Sequence, residues 1–182
     1  MKAGAVNITI SNAASLVGAL DEFADILLQS VSDGASIGFV QPFALEDARA
    51  FWLERVVPGL KTGTIVLFEA RLDSLVVGAV QLVLPSMPNQ THKGEVAKMM
   101  VHPNFRRRGV ARELMEALLE EAKRRGLKML TLDTRTGDKA QPLYAGYGFN
   151  VAGEIPMFAI DPDNPEKLDG TTYMYKWLGD YL

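Results

Sequence analysis

Three consecutive arginines, Arg106 to Arg108, run directly into Gly109 and a small residue at Ala111. An apolar segment typical of a strand precedes them and an amphipathic helical pattern follows, so a helix should begin here. Backbone N–H groups at a helix N-terminus lack intrahelical partners, and the helix dipole favours an anion there. Gly109 permits a tight bend and carries no Cβ to block a ligand. The stretch therefore predicts a compact anion site, best suited to a pyrophosphate with arginine charge nearby.

Other interpretations of the arginines are a solvated surface, a known phosphate loop or a nucleic-acid patch. Neither the Gly-Lys-Ser/Thr ending of a P-loop nor the three-glycine dinucleotide spacing is present. The net charge is -3; the window 95–125 holds eight Lys/Arg and five Asp/Glu, so it carries +3 and the remainder -6. Only Phe105 places an aromatic ring beside the arginines. Nucleic-acid binding is therefore disfavoured, and a local positive island favours a compact anionic ligand.

Composition narrows the class of protein further. The 182 residues, 48% of them hydrophobic, suit one domain spanning 1–182. No cysteine is present, which excludes disulfides, Cys-based zinc sites and thiol nucleophiles, and two histidines at unsuitable spacing predict no metal site. The N-terminal segment does not read as a signal peptide, and no apolar run reaches the length of a membrane span. We expect a soluble, cytoplasmic protein.

Periodicity predicts alternating helices and strands after a helical start. Apolar residues at steps of three and four predict a first helix with a stripe from Leu16 to Val31, capped by Ser11 or Asn12, and a second one at 44–56, ended by Pro58 and Gly59. Further helices are predicted at 109–125 and 140–148, and strands at 64–70, 76–84, 95–101, 129–134, 149–154 and 171–178. The unit from Glu95 to Thr134 should be a right-handed crossover that joins two parallel strands. The fold class is therefore mixed α/β, with a ligand site beyond the strands' carboxyl ends.

Two stretches together carry a family resemblance. EVAKMMVHPNFRRRGVARELM (95–115), followed by LYAGYGF (143–149), resembles the acetyl-CoA-binding core of the GNAT superfamily of N-acetyltransferases. The family's Gln/Arg-x-x-Gly-x-Gly/Ala loop is matched by Arg106, Gly109 and Ala111, and its Leu-Tyr and Gly-Phe signature by LYAGYGF. The resemblance extends to a subgroup that includes the tabtoxin resistance protein, through four further stretches: GASIGF, LDTRTGDKAQPLY, GEIPMFA and TTYMYK.

The resemblance implies a mostly antiparallel sheet, flanked by helices, with a central splayed pair of parallel strands. Acetyl-CoA, the implied co-substrate, would lie in the gap between them, in a core at about 95–149. The pantetheine arm would pair with the first strand like an added strand, and N–H groups from Arg107 to Arg112 would hold the pyrophosphate. The implied cofactor-binding residues are Met99, Met100, Val101, Arg106, Arg107, Arg108, Gly109, Val110, Ala111, Arg112 and Tyr147. Gly137 departs from the asparagine that many members have there, so that side-chain contact to the cofactor would either be missing or be supplied by Thr136 or Asp138.

Three residues are candidates for proton transfer. By resemblance, Tyr144 would protonate the leaving thiolate; otherwise it is a helix tyrosine with its ring in the core. The attacking amine must be neutral, so a base must accept its proton. Asp133, near the end of an apolar strand, ranks first for this role; otherwise it caps the following turn. Glu95, at the start of the neighbouring strand, ranks second; otherwise it is simply exposed. Either carboxylate could instead orient the substrate ammonium.

The predicted activity is acetyl transfer to a primary amine of a small molecule, such as an amino-acid-like toxin or antibiotic. Without cysteine, direct attack in a ternary complex is the simpler route, with a backbone N–H near Met100 or Val101 stabilising the oxyanion. Alternatives are a protein or peptide N-acetyltransferase and a non-catalytic acetyl-CoA-binding domain. Acceptor specificity is expected from GASIGF, from residues 85–94 and 156–158, and from Phe43 and Trp52, although core packing is the favoured role of those two aromatics. The protein is expected to be a monomer or homodimer.

Overall fold

The computed structural model describes residues 5–179, which form a seven-stranded sheet flanked by helices on both faces. The strand order is β1-β2-β3-β4-β5-β7-β6. The strands are β1 Val6–Ser11, β2 Ile65–Leu72, β3 Leu75–Val83, β4 Lys93–Val101, β5 Met129–Arg135, β6 Asn150–Ile160 and β7 Leu168–Trp177. The helices are α1 Ala13–Gly18, α2 Leu20–Ser32, α3 Leu45–Phe51, α4 Val57–Thr62, α5 Val110–Arg124 and α6 Gln141–Gly146.

The sheet is antiparallel except at β4 and β5, whose parallel pairing covers only Lys93–Glu95 against Met129–Thr131. Beyond Glu95 and Thr131 the described residues form no further cross-strand pair between the two strands. The predicted mixed, mostly antiparallel sheet with a central splayed parallel pair is confirmed. A gap therefore opens at the carboxyl end of β4, where a ligand could lie between the strands.

Both faces of the central strands are buried, and each face has its own core. Val66, Phe68 and Ala70 of β2 pack with Leu114 and Leu118 of α5 on one face. On the other face, the core contains residues of β2, β3 and β4, of the first three helices and of the turn after α3: Leu67, Ala79, Met100, Leu16, Phe23, Ala48 and Trp52. This alternation follows from the period of two along a strand. The indole of Trp52 is fully buried, and its N–H donates to Phe23 O at 2.9 Å. The predicted core role of Trp52 is confirmed.

The helical region departs from the predicted pattern at two places. The first predicted helix is interrupted at Ala19 (φ -116°, ψ 23°) and forms α1 and α2, with the Asn12 side chain accepting from Ser15 N at 2.9 Å as the cap. Pro58 and Gly59 do not end the second helix: α3 continues through a π-helical turn, Trp52–Val56, into α4. Pro58 lies in the first turn of α4, where a missing N–H costs little. Gly59 packs closely instead of breaking the helix, since a Cβ there would lie 2.5 Å from Ile65 Cδ1.

Strand β1 was not predicted, although it carries the edge of the sheet. It pairs with β2, and a buried carboxylate ties the two strands together: Glu69 accepts from Ser11 Oγ at 2.5 Å, Thr9 Oγ1 at 2.9 Å and Arg71 Nε at 2.9 Å. The remaining predicted strands and helices are present, with ends shifted by at most three residues, except that β6 continues to Ile160, six residues beyond its predicted end. Within residues 5–179, no helix is both long and apolar enough to cross a lipid bilayer.

Candidate active site

A cavity of about 620 Å³ lies where β4 and β5 diverge. Its walls are the carboxyl end of β4, the first turn of α5, the end of α2 with the following residues 33–35, and the segment 135–140 after β5. The volume lies within the usual range of small-molecule and cofactor sites. The splay of the two strands therefore produces a pocket at the place that the sequence pattern indicated.

Nine of the eleven predicted cofactor-binding residues line this cavity: Met99, Met100, Val101, Arg106, Arg107, Gly109, Val110, Ala111 and Arg112. The other two do not line it. The Arg108 guanidinium lies 5.3 Å from the centre of the Phe105 ring. The Tyr147 hydroxyl lies 3.1 Å from Arg112 O and 3.0 Å from Glu116 Oε1, so it ties α6 to the outer side of α5. Most of the residues predicted to bind the cofactor therefore lie around one cavity, and the side chains of Arg108 and Tyr147 contact other parts of the protein.

The loop before α5 presents unused backbone donors to the cavity. Arg107 (φ 62°) and Gly109 (φ 84°) both adopt left-handed conformations, and Gly109 is the N-cap of the helix. No backbone hydrogen bond within residues 5–179 uses the N–H groups from Arg107 to Ala111, whereas Arg112 N donates to Gly109 O at 2.9 Å. A Cβ at Gly109 would meet no atom within 4 Å, so the space above it is open. Such concave arrays of N–H groups bind phosphates.

The three arginine side chains have different surroundings. Arg106 pairs with Asp33, at the end of α2, and donates from Nε to Val101 O at 3.3 Å. It therefore holds the loop against the end of β4 and the end of α2. Arg107 makes no ion pair or ring contact within the described chain, and its charge remains available to an anion in the cavity.

Arg135, which the sequence analysis did not single out, connects two walls of the cavity. Its guanidinium donates to Gly34 O at 3.2 Å and lies 3.4 Å from carboxylate oxygens of both Asp138 and Asp169. The bond to Gly34 joins the segment after α2 to the segment after β5. The available signal was an arginine at the carboxyl end of the strand MLTLDT, beside the predicted site.

Tyr144 lies in α6 with 7% of its surface exposed, packed edge-on against Phe149. Burial, with the charges of Asp138 and Asp133, raises the pKa of Tyr144 to about 12. The phenol therefore keeps its proton at neutral pH, as a proton donor must. Its hydroxyl makes no hydrogen bond within the described residues. Tyr144 itself does not line the cavity, whereas the preceding residue, Leu143, does.

Glu95 and Asp133 lie on neighbouring strands at the start of the splay. Glu95 is opposite Thr131, and Asp133 follows two residues later on the same face of β5. Partial burial of the carboxylate and the charge of Asp133 raise the pKa of Glu95, and the charges of Lys98 and Lys93 oppose that shift. Asp133 Oδ2 accepts from Thr171 Oγ1 of β7 at 3.0 Å, and this bond orients it. Asp133 is therefore close enough for its charge to act on Glu95.

Lys98 is a second residue that the sequence analysis missed. It lies inside the predicted strand EVAKMMV, where a charge among apolar residues was a usable signal. Burial lowers the pKa of Lys98, and the charges of Asp133 and Glu95 oppose that shift. A cation therefore accompanies the two carboxylates at the sheet opening.

Residues 28–149 match the model of the Acetyltransferase (GNAT) family. The uncharacterized N-acetyltransferase in the hisH–hisA intergenic region of Azospirillum brasilense is 34% identical over 127 residues, which cover 69% of this chain and 73% of that protein. Two solved structures share the fold. An N-acetyltransferase from Staphylococcus aureus Mu50 has a TM-score of 0.78 at 17% identity and covers 97% of this chain and 100% of its own. The acetyltransferase yncA from Salmonella typhimurium, solved with its cofactor acetyl-CoA, has a TM-score of 0.75 at 19% identity. The match covers 98% of this chain and 96% of the yncA chain.

The cavity suits acetyl-CoA on the chain's own features. Free N–H groups and the Arg107 charge fit a pyrophosphate, and the unpaired end of β4 can pair with a pantetheine amide. The sequence match to the family model covers well over half of the chain and includes both the loop and the Leu-Tyr signature. The chain belongs to the GNAT acetyltransferase family and is an acetyl-CoA-dependent N-acetyltransferase.

Proposed function

We propose that the protein acetylates a primary amine of a small molecule within a ternary complex. The observation that carries this proposal is the pair of carboxylates, Glu95 and Asp133, at the splay beside a cavity suited to acetyl-CoA. An amine entering there meets groups that can bind its ammonium and then accept a proton. The bond from Arg135 to Gly34 O joins two walls of the cavity, and the cavity volume of about 620 Å³ lies in the range of small-molecule sites.

Acetyl-CoA supplies the acetyl group as an activated thioester. The backbone of Met99 to Val101 aligns the co-substrate, and an N–H near Met100 or Val101 stabilises the negative charge that develops on the carbonyl oxygen. The free N–H groups from Arg107 to Ala111 hold the pyrophosphate.

Two proton transfers complete the reaction. Glu95 or Asp133 accepts the proton that the attacking amine releases, and the raised pKa of Glu95 brings it closer to neutral pH as a base. The Tyr144 hydroxyl donates the proton that the leaving sulfur needs. On this proposal residues 1–182 act as one catalytic domain, with the cofactor core at about 95–149. Resemblance to the subgroup of the tabtoxin resistance protein suggests an amine-bearing toxin or antibiotic as acceptor.

Release of CoA thiol from acetyl-CoA, measured against amines, amino acids, aminated antibiotics and peptides, tests the proposal. We expect turnover with small amines that exceeds turnover with peptides. Turnover confined to peptides or protein N-termini would replace the proposal with peptide acetylation. Acetyl-CoA binding without turnover on any acceptor would instead support a non-catalytic binding domain.

A further inference from the structure

Lys98 occupies a bulge in β4. Ala79 pairs with Met100 and Gln81 with Ala97, so two residues of β4, Lys98 and Met99, lie opposite one residue of β3. Lys98 adopts a left-handed conformation (φ 51°), which is uncommon for a residue with a side chain. Bulges of this kind redirect a side chain, often next to an active site. The bulge therefore aims a lysine where a regular strand would place another residue.

The side chain extends toward the loop that follows α2. Its Nζ lies 3.5 Å from the position that a Cβ on Gly38 would occupy. Lys98 makes no ion pair within 4 Å and no hydrogen bond with the described residues, although Asp133 and Glu95 both act on its charge. A half-buried ammonium without a direct partner is costly unless a ligand supplies one.

We propose that Lys98 binds an anionic group of the acceptor, so that the preferred acceptor is a primary amine with a neighbouring carboxylate, as in a free amino acid. This inference rests on the proposed function and names its substrate class. The acceptor ammonium lies toward Asp133 and Glu95, and the acceptor carboxylate pairs with Lys98. An acceptor that carries one ammonium and one carboxylate thereby complements the charges of Glu95, Asp133 and Lys98.

An acceptor without the acid group leaves the Lys98 ammonium half-buried and unpaired. Sites built around a charged partner reject analogues that lack it more strongly than apolar pockets reject a missing methylene. We therefore expect an amino acid to exceed its decarboxylated counterpart by about 10- to 100-fold in kcat/KM. A peptide N-terminus has no free α-carboxylate and shares this disadvantage.

The test compares matched acceptor pairs, L-phenylalanine with phenethylamine and L-methionine with 3-(methylthio)propylamine, on wild type and Lys98→Met. In the variant we expect kcat/KM for the amino acids to fall at least tenfold, chiefly through KM, and to fall much less for the amines. Lys98→Arg, which keeps the charge, should retain the preference for the acid; a lysine acting as a base would not be replaced by arginine. Lys93→Met, which removes another lysine of the same strand, should keep the preference as well.

The outcomes separate the two ideas. Two results overturn the role of Lys98 and leave small-molecule acetylation unaffected. In the first, wild type acetylates both members of each pair at similar rates. In the second, Lys98→Met lowers kcat/KM equally for the amino acid and for its amine counterpart. Absence of acetylation on any small amine overturns the proposed function instead. In that case, calorimetry with the same amino acids in the presence of CoA still tests the role of Lys98. Lys98→Met should weaken amino-acid binding about tenfold. Equal affinity of the variant and wild type for the amino acids would contradict the inference. Thermal unfolding confirms that each variant is folded.

Discussion

Glu95 and Asp133 lie on the same face of the splayed strand pair, and partial burial together with the Asp133 charge raises the pKa of Glu95. A neighbouring negative charge disfavours the ionised form of a carboxylate, so Glu95 holds its proton to a higher pH than an isolated glutamate. In this pair, Glu95 has the raised pKa that suits a proton acceptor, and Asp133 is oriented by a hydrogen bond from Thr171. This division of roles agrees with the proposed need for one base and one ammonium-binding group.

Replacing Glu95 with Gln should raise stability at neutral pH while lowering activity. A raised folded-state pKa means that the folded protein binds the proton more tightly than the unfolded chain, so stability falls as pH rises from the ordinary value of 4.5 toward the raised value. The variant removes this penalty. Its thermal midpoint should exceed that of wild type at pH 7, with the gain disappearing below pH about 4.

A suitable control for this variant is Glu120→Gln, on the exposed side of α5, which should show no such pH-dependent gain. The prediction fails if Glu95→Gln is less stable than wild type at pH 7, or if its kcat/KM equals that of wild type.

Replacing Tyr144 with Phe should lower kcat about 100-fold with little change in acetyl-CoA affinity, because only the proton donor is removed. The hydroxyl has no hydrogen-bond partner in the described chain, so thermal stability should be retained. Steady-state kinetics and calorimetry with acetyl-CoA measure the two quantities. Wild-type kcat in this variant would remove Tyr144 from the mechanism.

Replacing Gly109 with Glu should abolish acetyl-CoA binding and leave the fold intact. The left-handed φ of 84° adds about 1–2 kcal/mol of strain for any side chain, and the new carboxylate enters the space intended for phosphate. Calorimetry with acetyl-CoA and thermal unfolding separate the two effects.

The matched control is Gly126→Glu, after the other end of α5. Gly126 has a φ of 74° and equally open surroundings, so its backbone strain is similar. It should lose similar stability and keep cofactor affinity. Equal affinity in both variants would contradict the phosphate assignment.

Replacing Glu69 with Gln should loosen β1 from β2. Burial tends to raise the pKa of Glu69, but hydrogen bonds from Ser11, Arg71 and Thr9 outweigh it and lower the pKa below the usual range. The ionised carboxylate therefore stabilises the fold above the ordinary glutamate pKa, and this contribution is lost as pH falls through the lowered value. Urea unfolding at pH 7 should show a loss of about 1–3 kcal/mol. A loss that persists unchanged at pH 2 would contradict the electrostatic origin.

Several features of the site depend on contacts between residues far apart in the chain. The bulge that redirects the Lys98 side chain depends on the pairing of β4 with β3, and the bond from Arg135 to Gly34 joins positions 101 residues apart. Local periodicity contains no information about either contact. Local pattern also predicts that Pro58 ends a helix, but the chain stays helical to Thr62. The π-helical turn Trp52–Val56 precedes Pro58 and places this proline in the first turn of α4.

The sequence alone determined the order of most elements, the parallel pair, and the position of the loop before α5 that we propose binds an anion. These features depend on residues that are close together in the chain, such as Gly109 and the amphipathic pattern that follows it. The sequence also selected Tyr144, Asp133 and Glu95 as candidates. Tertiary structure decided which side chains share the opening: Arg106 pairs with Asp33, Arg108 turns to Phe105, and Lys98 joins the two carboxylates. Charge interactions act through space, so their partners are known only when distant strands are brought together.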